Sequence, residues 1–371
     1  MTESKRYYAF DSLRASMMFL GIVIHSAMSY SSSIDRSWPL RAKETSDVFF
    51  MIVEFIHAFR MPVFFLVAGF FGAFLFYNKS PKAMIKNRFK RIFLPFIVFL
   101  IFLYPLLTFA LKYCKAIFND DIPISIEQHF TSPFSYIPLI LFHLWFLYFL
   151  FIISLIMYLF FKWIKIKPIN FVDRIFEQTF RNPLYRLLVL SILSFLVLFL
   201  FSNESFQTSI GWFPNLGVLM YFIVFYLTGW FLFRKKELIN TLKNFDVVIT
   251  VIGIVLFFLK FYFGEKMSLI NLQIINSLIT SFLSLGIIGL FLSFADINKG
   301  YITYFVNSAY WVYLIHFLIT ILLAGLINDL PISIFLKFII VLFGTTCFCL
   351  LSYHIFARKT FIASFLNGKR G

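Results

Sequence analysis

Apolar runs of about 20 residues recur along nearly all of this 371-residue chain, and each is long enough to cross the roughly 30 Å hydrocarbon core of a bilayer as a helix. Backbone N–H and C=O groups find no partner in hydrocarbon, so a spanning segment has to satisfy them internally and open strands are excluded. The expected fold is therefore an all-α integral membrane bundle. Ten spans are read, at about 10–30, 48–77, 92–112, 136–161, 187–201, 213–233, 246–263, 270–294, 302–327 and 333–356. The second is unusually long, and Gly69 and Gly72 are expected to mark where it bends or leaves the core. No stretch is long enough for a separate soluble domain, so the whole chain, 1–371 with a core of about 5–360, reads as one membrane domain.

Charged residues make up 13% of the chain, against about 25% in soluble domains, which excludes a soluble enzyme and a disordered protein. The 56 phenylalanines fall mostly in lipid-length runs and read as bilayer filler. Three cysteines, Cys114, Cys347 and Cys349, give no disulfide framework, since Cys347 and Cys349 are too close on one helix to bridge. Asp11 and Arg14 interrupt the first run and no small-residue cleavage site follows it, so it is expected to stay in the mature protein.

A formal charge of +16 could point to nucleic acid, but the 33 Lys and Arg residues sort by side of the ten-span arrangement. Twenty-three fall on the side of the N-terminus, six on the other, and four inside spans: Arg14, Arg60, Lys260 and Lys337. The positive-inside rule then puts both termini in the cytoplasm, with the lipid bilayer as partner and no nucleic acid.

An ionisable side chain inside a span costs roughly 2.5 kcal/mol or more, so each one is a candidate for function. In the first span Arg14 and His25 are eleven residues apart, which returns to within about 20° of the same helical face at a rise of about 16 Å. Asp11 lies near that face and reads equally well as an N-cap or as a site residue. The second span carries Glu54, His57 and Arg60. Counted at about 1.5 Å per residue from the cytoplasmic ends, His25, Arg60, His316 and His143 all lie about 21–27 Å deep. Four polar side chains from four helices are thus expected to share one layer. His129, in an outer loop, and His354, at the last boundary, have inexpensive solvent readings. No histidine pair has the spacing of metal ligands within one helix, so neither a metal nor a permanently bound cofactor is expected.

A histidine and an arginine at mid-membrane behind a basic mouth suit acyl transfer from cytoplasmic acyl-CoA, whose slender arm is roughly half a bilayer long. Lys86, Arg88, Lys90 and Arg91 are placed to hold its phosphates, although topological bias explains them equally well. Deeper, His25 is read as general base or transient acyl carrier and Arg60 as partner to an oxyanion or carboxylate. Arg14 is read as a cation along the CoA path, and His57, Glu54, His143, Trp145 and His316 as shaping the site. A transporter or flippase of an envelope precursor is the competing reading, since inward polar side chains also mark solute pathways; no matched pair of Gly- or Pro-interrupted short spans supports it.

The residues also carry a resemblance. Asp11-Ser12-Leu13-Arg14 with His25, then Phe59-Arg60-Met61-Pro62-Val63-Phe64-Phe65 with Gly69-Phe70-Phe71, and Arg88-Phe89-Lys90-Arg91 ending in Pro95, resemble the membrane acyltransferase-3 family in order and spacing. His143-Leu144-Trp145-Phe146-Leu147, and Tyr304-Phe305-Val306-Asn307-Ser308 leading to Tyr313-Leu314-Ile315-His316, look like its branch that succinylates osmoregulated periplasmic glucans. At His316-Phe317 this chain has a single histidine where that branch carries two. The resemblance implies a ten-helix inner-membrane transferase moving an acyl group, succinyl or acetyl, from acyl-CoA to a hydroxyl of a periplasmic or cell-surface glycan. It matches Arg14 and His25 to the family's first-span pair and Arg60 to its second-span arginine.

Overall fold

A computed structural model describes residues 7–33, 38–163, 169–206, 208–296 and 300–368. Within them the chain forms α1 (Tyr8–Met28), α2 (Asp47–Asn78), α3 (Pro81–Arg88), α4 (Leu94–Phe118), α5 (Ile126–Phe130), α6 (Trp145–Trp163) and α7 (Ile169–Arg181). There follow α8 (Pro183–Leu200), α9 (Leu216–Arg234), α10 (Asp246–Phe263), α11 (Leu269–Phe294), α12 (Gly300–Leu326), α13 (Ile334–Ser352) and α14 (Phe361–Asn367). Extended pairing among the described residues is limited to an isolated bridge between Ser31 and Ser46. Serine or asparagine caps open α2, α3, α8, α9, α11 and α13, each side-chain oxygen accepting an N–H that the first turn cannot satisfy.

Among the described residues nine helices are long and apolar enough to cross a membrane. They account for nine of the ten expected spans. The other, α1, runs 21 residues and about 31 Å, but Asp11, Arg14 and His25 dilute its hydropathy, and it is packed against α2, α11, α12 and α13. Ile101, Phe102, Val251, Phe343 and Leu351 face outward from the bundle, the apolar exterior that a bilayer covers.

Local departures have physical causes. The fourth run becomes α-helical at Trp145 rather than at 136, because Pro133 and Pro138 punctuate the approach and Phe142 takes a left-handed φ of 46° before a short 3-10 turn. The third run is preceded by α3 and a π-helical turn over Phe89–Phe93, so helical backbone continues from Pro81 to Phe118. Residues 162–186, expected to be a plain connection, contain α7. It docks through the Asp173 carboxylate, which accepts from both Nε and Nη2 of Arg234, and through Lys235 Nζ, 2.6 Å from Glu177. Lys235 holds the Glu177 carboxyl below its usual range.

Gly69 does not interrupt α2, which is helical from Asp47 to Asn78, and a Cβ at Gly69 would lie 1.9 Å from the Tyr226 carbonyl oxygen. On the facing helix a Cβ at Gly229 would lie 1.8 Å from the Leu66 carbonyl oxygen. The two glycines let α2 and α9 cross backbone to backbone. Gly72 serves the same crossing, lying under the Tyr226 ring, whose hydroxyl would be 2.3 Å from an added Cβ.

Candidate active site

Near the end of α1, His25 faces a cavity of about 620 Å³ whose lining also includes Glu54, His57, Arg60, His143, Trp145 and Tyr313. His316 stands behind it, fully buried. Its ring lies 5.4 Å from that of His25 and 5.3 Å from that of His143, centroid to centroid. The four side chains expected in one layer do meet, three from helices and one from a turn: α1 supplies His25, α2 Arg60, the 3-10 turn before α6 His143, and α12 His316. Phe317 packs between two of the imidazoles, 4.7 Å from His25 and 5.0 Å from His143.

Hydrogen bonds assign which nitrogen of the neutral His316 and His143 rings carries the proton. A carbonyl only accepts, so His316 Nδ1, 2.8 Å from Tyr313 O, donates, and its Nε2 is left as an acceptor. By the same argument His143 Nε2 donates to Leu314 O at 3.0 Å, leaving Nδ1 as acceptor. These two acceptor nitrogens and Nδ1 of His25 are buried with no partner among the described residues. A buried polar atom without a partner is costly in a fold, and here three of them gather on neighbouring imidazoles. Arg60 is held to α1, its Nε donating to Met17 O at 2.9 Å. Gly21 gives it room: an added Cβ would meet Arg60 Nη2 at 2.7 Å and His316 Nε2 at 3.1 Å. The guanidinium and the imidazole thus crowd one point over the α1 backbone.

Glu54 pairs with Lys260 of α10 at 3.2 Å, so the carboxylate on this wall arrives with its own counter-ion. Trp38, from the connection after α1, stacks on His25 at 6.2 Å, and Tyr313 donates its hydroxyl to His143 O at 2.6 Å. Neither was given a role in the site from sequence, although Tyr313 stands in the motif that ends at His316. Trp38 lies outside every span, where a polar atom is inexpensive; Tyr313, one turn before His316, was available from spacing.

Arg14 does not reach the histidines. It lines a second cavity of about 730 Å³ with Asp11, Arg88, Arg91 and Tyr310. Asp11 is not the N-cap of α1, a position Tyr7 occupies, but lies in the first turn 3.5 Å from Arg14. Of the four basic residues expected at the mouth, Arg88 and Arg91 face this cavity while Lys86 and Lys90 are exposed and outside its lining. Arg88 donates to Ala68 O, and Arg91 to the carbonyls of Ser364 and Phe365 at the end of α14. His129, expected in solvent, belongs to α5 and is buried against α4, 3.1 Å from Pro105 O and 3.3 Å from Thr108 Oγ1; burial lowers its basicity. His354 is exposed, as expected.

Glucans biosynthesis protein C of Escherichia coli SMS-3-5 is 38% identical over 105 residues, 28% of this chain and 26% of the relative. The same protein from strain K12 is 37% identical over an equal length. The match thus spans about a quarter of those relatives. No solved structure matches the chain significantly. The acyltransferase domain that defines the acyltransferase-3 family matches residues 7–354, and the chain belongs to that family.

Proposed function

We propose that this protein is an inner-membrane O-acyltransferase moving a succinyl or acetyl group from cytoplasmic acyl-CoA to a hydroxyl of a periplasmic or cell-surface glycan. Ten spans, with α1 as the first and both termini in the cytoplasm, form one catalytic domain. The observation that carries the reading is the meeting of His25, Arg60, His143 and His316 in one buried layer, in line with a separate cavity that holds three arginines. The similarity to proteins named for glucan biosynthesis supports a glycan acceptor.

Arg88, Arg91 and Arg14 bind the phosphates of CoA, and the pantetheine arm runs along α1 toward His25, a rise of about 16 Å from Arg14. The acceptor hydroxyl enters from the periplasmic side. His25 takes its proton as the oxygen attacks the thioester carbonyl carbon, and Arg60 faces the negative charge that develops on the carbonyl oxygen. Collapse breaks the carbon–sulfur bond, the acyl group stays on the acceptor, and the CoA sulfur leaves with the proton from His25. His143 and His316 back the reacting imidazole with rings whose tautomers are fixed. Acyl-CoA and acceptor are co-substrates, and no resident cofactor takes part.

The test is purified protein in detergent given acyl-CoA and a glucan acceptor, with acylated glycan read by mass spectrometry. His25→Ala is expected to abolish transfer while inserting and unfolding like the parent. Normal acylation by a correctly inserted His25→Ala protein would remove the central assignment.

A further inference from the structure

Four helices pass the two cavities in the same order. Along α1 the arginine cavity touches Arg14 and Met18 and the histidine cavity touches His25 and Met28. Along α12 the corresponding residues are Val306 and Tyr310, then Tyr313 and Phe317. On α2 the histidine cavity takes Phe50 to Phe64 and the arginine cavity Phe64 to Phe71; on α6 the first takes Trp145 and Phe146 and the second Phe146 to Leu150. The cavities are therefore end to end, and two residues belong to both linings: Phe64 and Phe146.

Their rings are 4.9 Å apart and tilted by 41°, and both side chains are buried. Bilayer filler would put them on the outside of the bundle. Instead each has empty space on two sides, where a ring forfeits the dispersion contacts that a close-packed core supplies. Phe64 is one helical turn beyond Arg60 and Phe146 three residues beyond His143, so the pair lies directly beneath the reactive layer.

We infer that Phe64 and Phe146 form a septum between the arginine vestibule and the histidine chamber, which the thioester end of acyl-CoA crosses only when the rings part. The inference rests on the acyl-CoA reading for what passes, but not for the barrier itself. Rotation of either ring about χ1 opens a slot between apolar walls, wide enough for an unbranched arm and closed to water and ions at rest. These are gating residues that take no part in bond making, and they keep the two end-to-end cavities from joining at rest.

The experiment places a cysteine in the histidine chamber, Met28→Cys, in sealed vesicles. A charged, membrane-impermeant methanethiosulfonate is added only on the face carrying Arg88 and Arg91, and modification of residue 28 is followed by mass spectrometry. With Phe64 and Phe146 intact the modification is slow; Phe64→Ala and Phe146→Ala are expected to speed it at least tenfold, and Phe146→Leu, which keeps an apolar side chain of similar length, by less. Equal rates in the parent and in all three variants would overturn the septum. Faster labelling in variants whose parent consumes no acyl-CoA would sustain the septum and remove the donor reading, whereas unchanged labelling in variants that still turn over acyl-CoA would remove the septum alone.

Discussion

Gly21→Ala separates positioning of the site from stability of the fold. The new Cβ would lie 2.7 Å from Arg60 Nη2, where ordinary contact begins near 3.4 Å, so the guanidinium must retreat by about 0.7 Å. It cannot slide freely, because Arg60 Nε is bound to Met17 O one turn earlier on the same helix; it pivots, and its approach to the reacting carbonyl changes. Misplacement of a catalytic group by about 1 Å is worth on the order of 100-fold in rate, so kcat is expected to fall about 10- to 100-fold, or about 1.4–2.7 kcal/mol in the barrier. Alanine in a helix interior gains about 1 kcal/mol over glycine, which offsets much of the local strain, and the Tm should move by only a few degrees. Gly69→Ala provides the contrast. Its Cβ meets the Tyr226 carbonyl oxygen at 1.9 Å, and backbone does not yield, so α2 and α9 must separate at a cost of about 3 kcal/mol or more. Acyl-CoA consumption and thermal unfolding, measured on the same detergent samples, read both effects. Wild-type turnover by Gly21→Ala would show that the point over Gly21 where Arg60 and His316 meet is not the reactive one.

Arg88 and Arg91, two of the three arginines of the vestibule, should act on donor binding, so Arg88→Gln with Arg91→Gln raises KM for acyl-CoA about tenfold or more with a smaller change in kcat, while Lys86→Gln with Lys90→Gln leaves both nearly unchanged; steady-state kinetics in detergent decide it. Arg60→Lys keeps the charge but loses the two-pronged donor, so if Arg60 also binds a free carboxylate on the acyl group, succinyl transfer falls further than acetyl transfer, and an equal loss assigns it to the oxyanion alone. The α7 dock carries a pH signature. The Glu177 carboxyl is held below its usual range by Lys235, so its stabilising contribution is fully present above the unfolded value of about 4.3 and is lost as pH falls through the lower folded value. Limited proteolysis of the 162–186 region should therefore rise in that acid window in the parent, and the step should vanish in Glu177→Gln.

Cost made the reactive layer legible. Histidine and arginine are expensive in hydrocarbon, so their depths, counted from span ends, were enough to bring His25, Arg60, His143 and His316 together from four distant segments. Where cost was low the sequence said little. Lys86 and Lys90 cannot be told from Arg88 and Arg91 by composition, because which of them faces inward depends on the helical phase through the π-helical turn at Phe89–Phe93. Asp173 and Glu177 of α7, which make inter-helix ion pairs, looked like ordinary charges of a polar connection.

Phenylalanine and glycine fail in the opposite way, because each has an inexpensive generic reading that hides a specific one. Among 56 phenylalanines, Phe64 and Phe146 differ from filler only in what lies on either side of them, and that depends on where four helices leave space. Gly69 in a long apolar run reads as a weak point of the helix, yet α2 passes it unbroken because the Tyr226 carbonyl occupies the space a side chain would need. The α2–α9 crossing fixes the distance between helices that carry Arg60 and Phe64 on one side and the wall around Phe222 on the other. Phe65 stacks on Phe222 at 4.4 Å, and Phe146 packs edge-on against Phe65 at 5.4 Å, so the glycine contact reaches the septum through two rings. Substitutions that loosen the crossing without unfolding the bundle should therefore raise leakage past Phe146 before they touch the chemistry at His25.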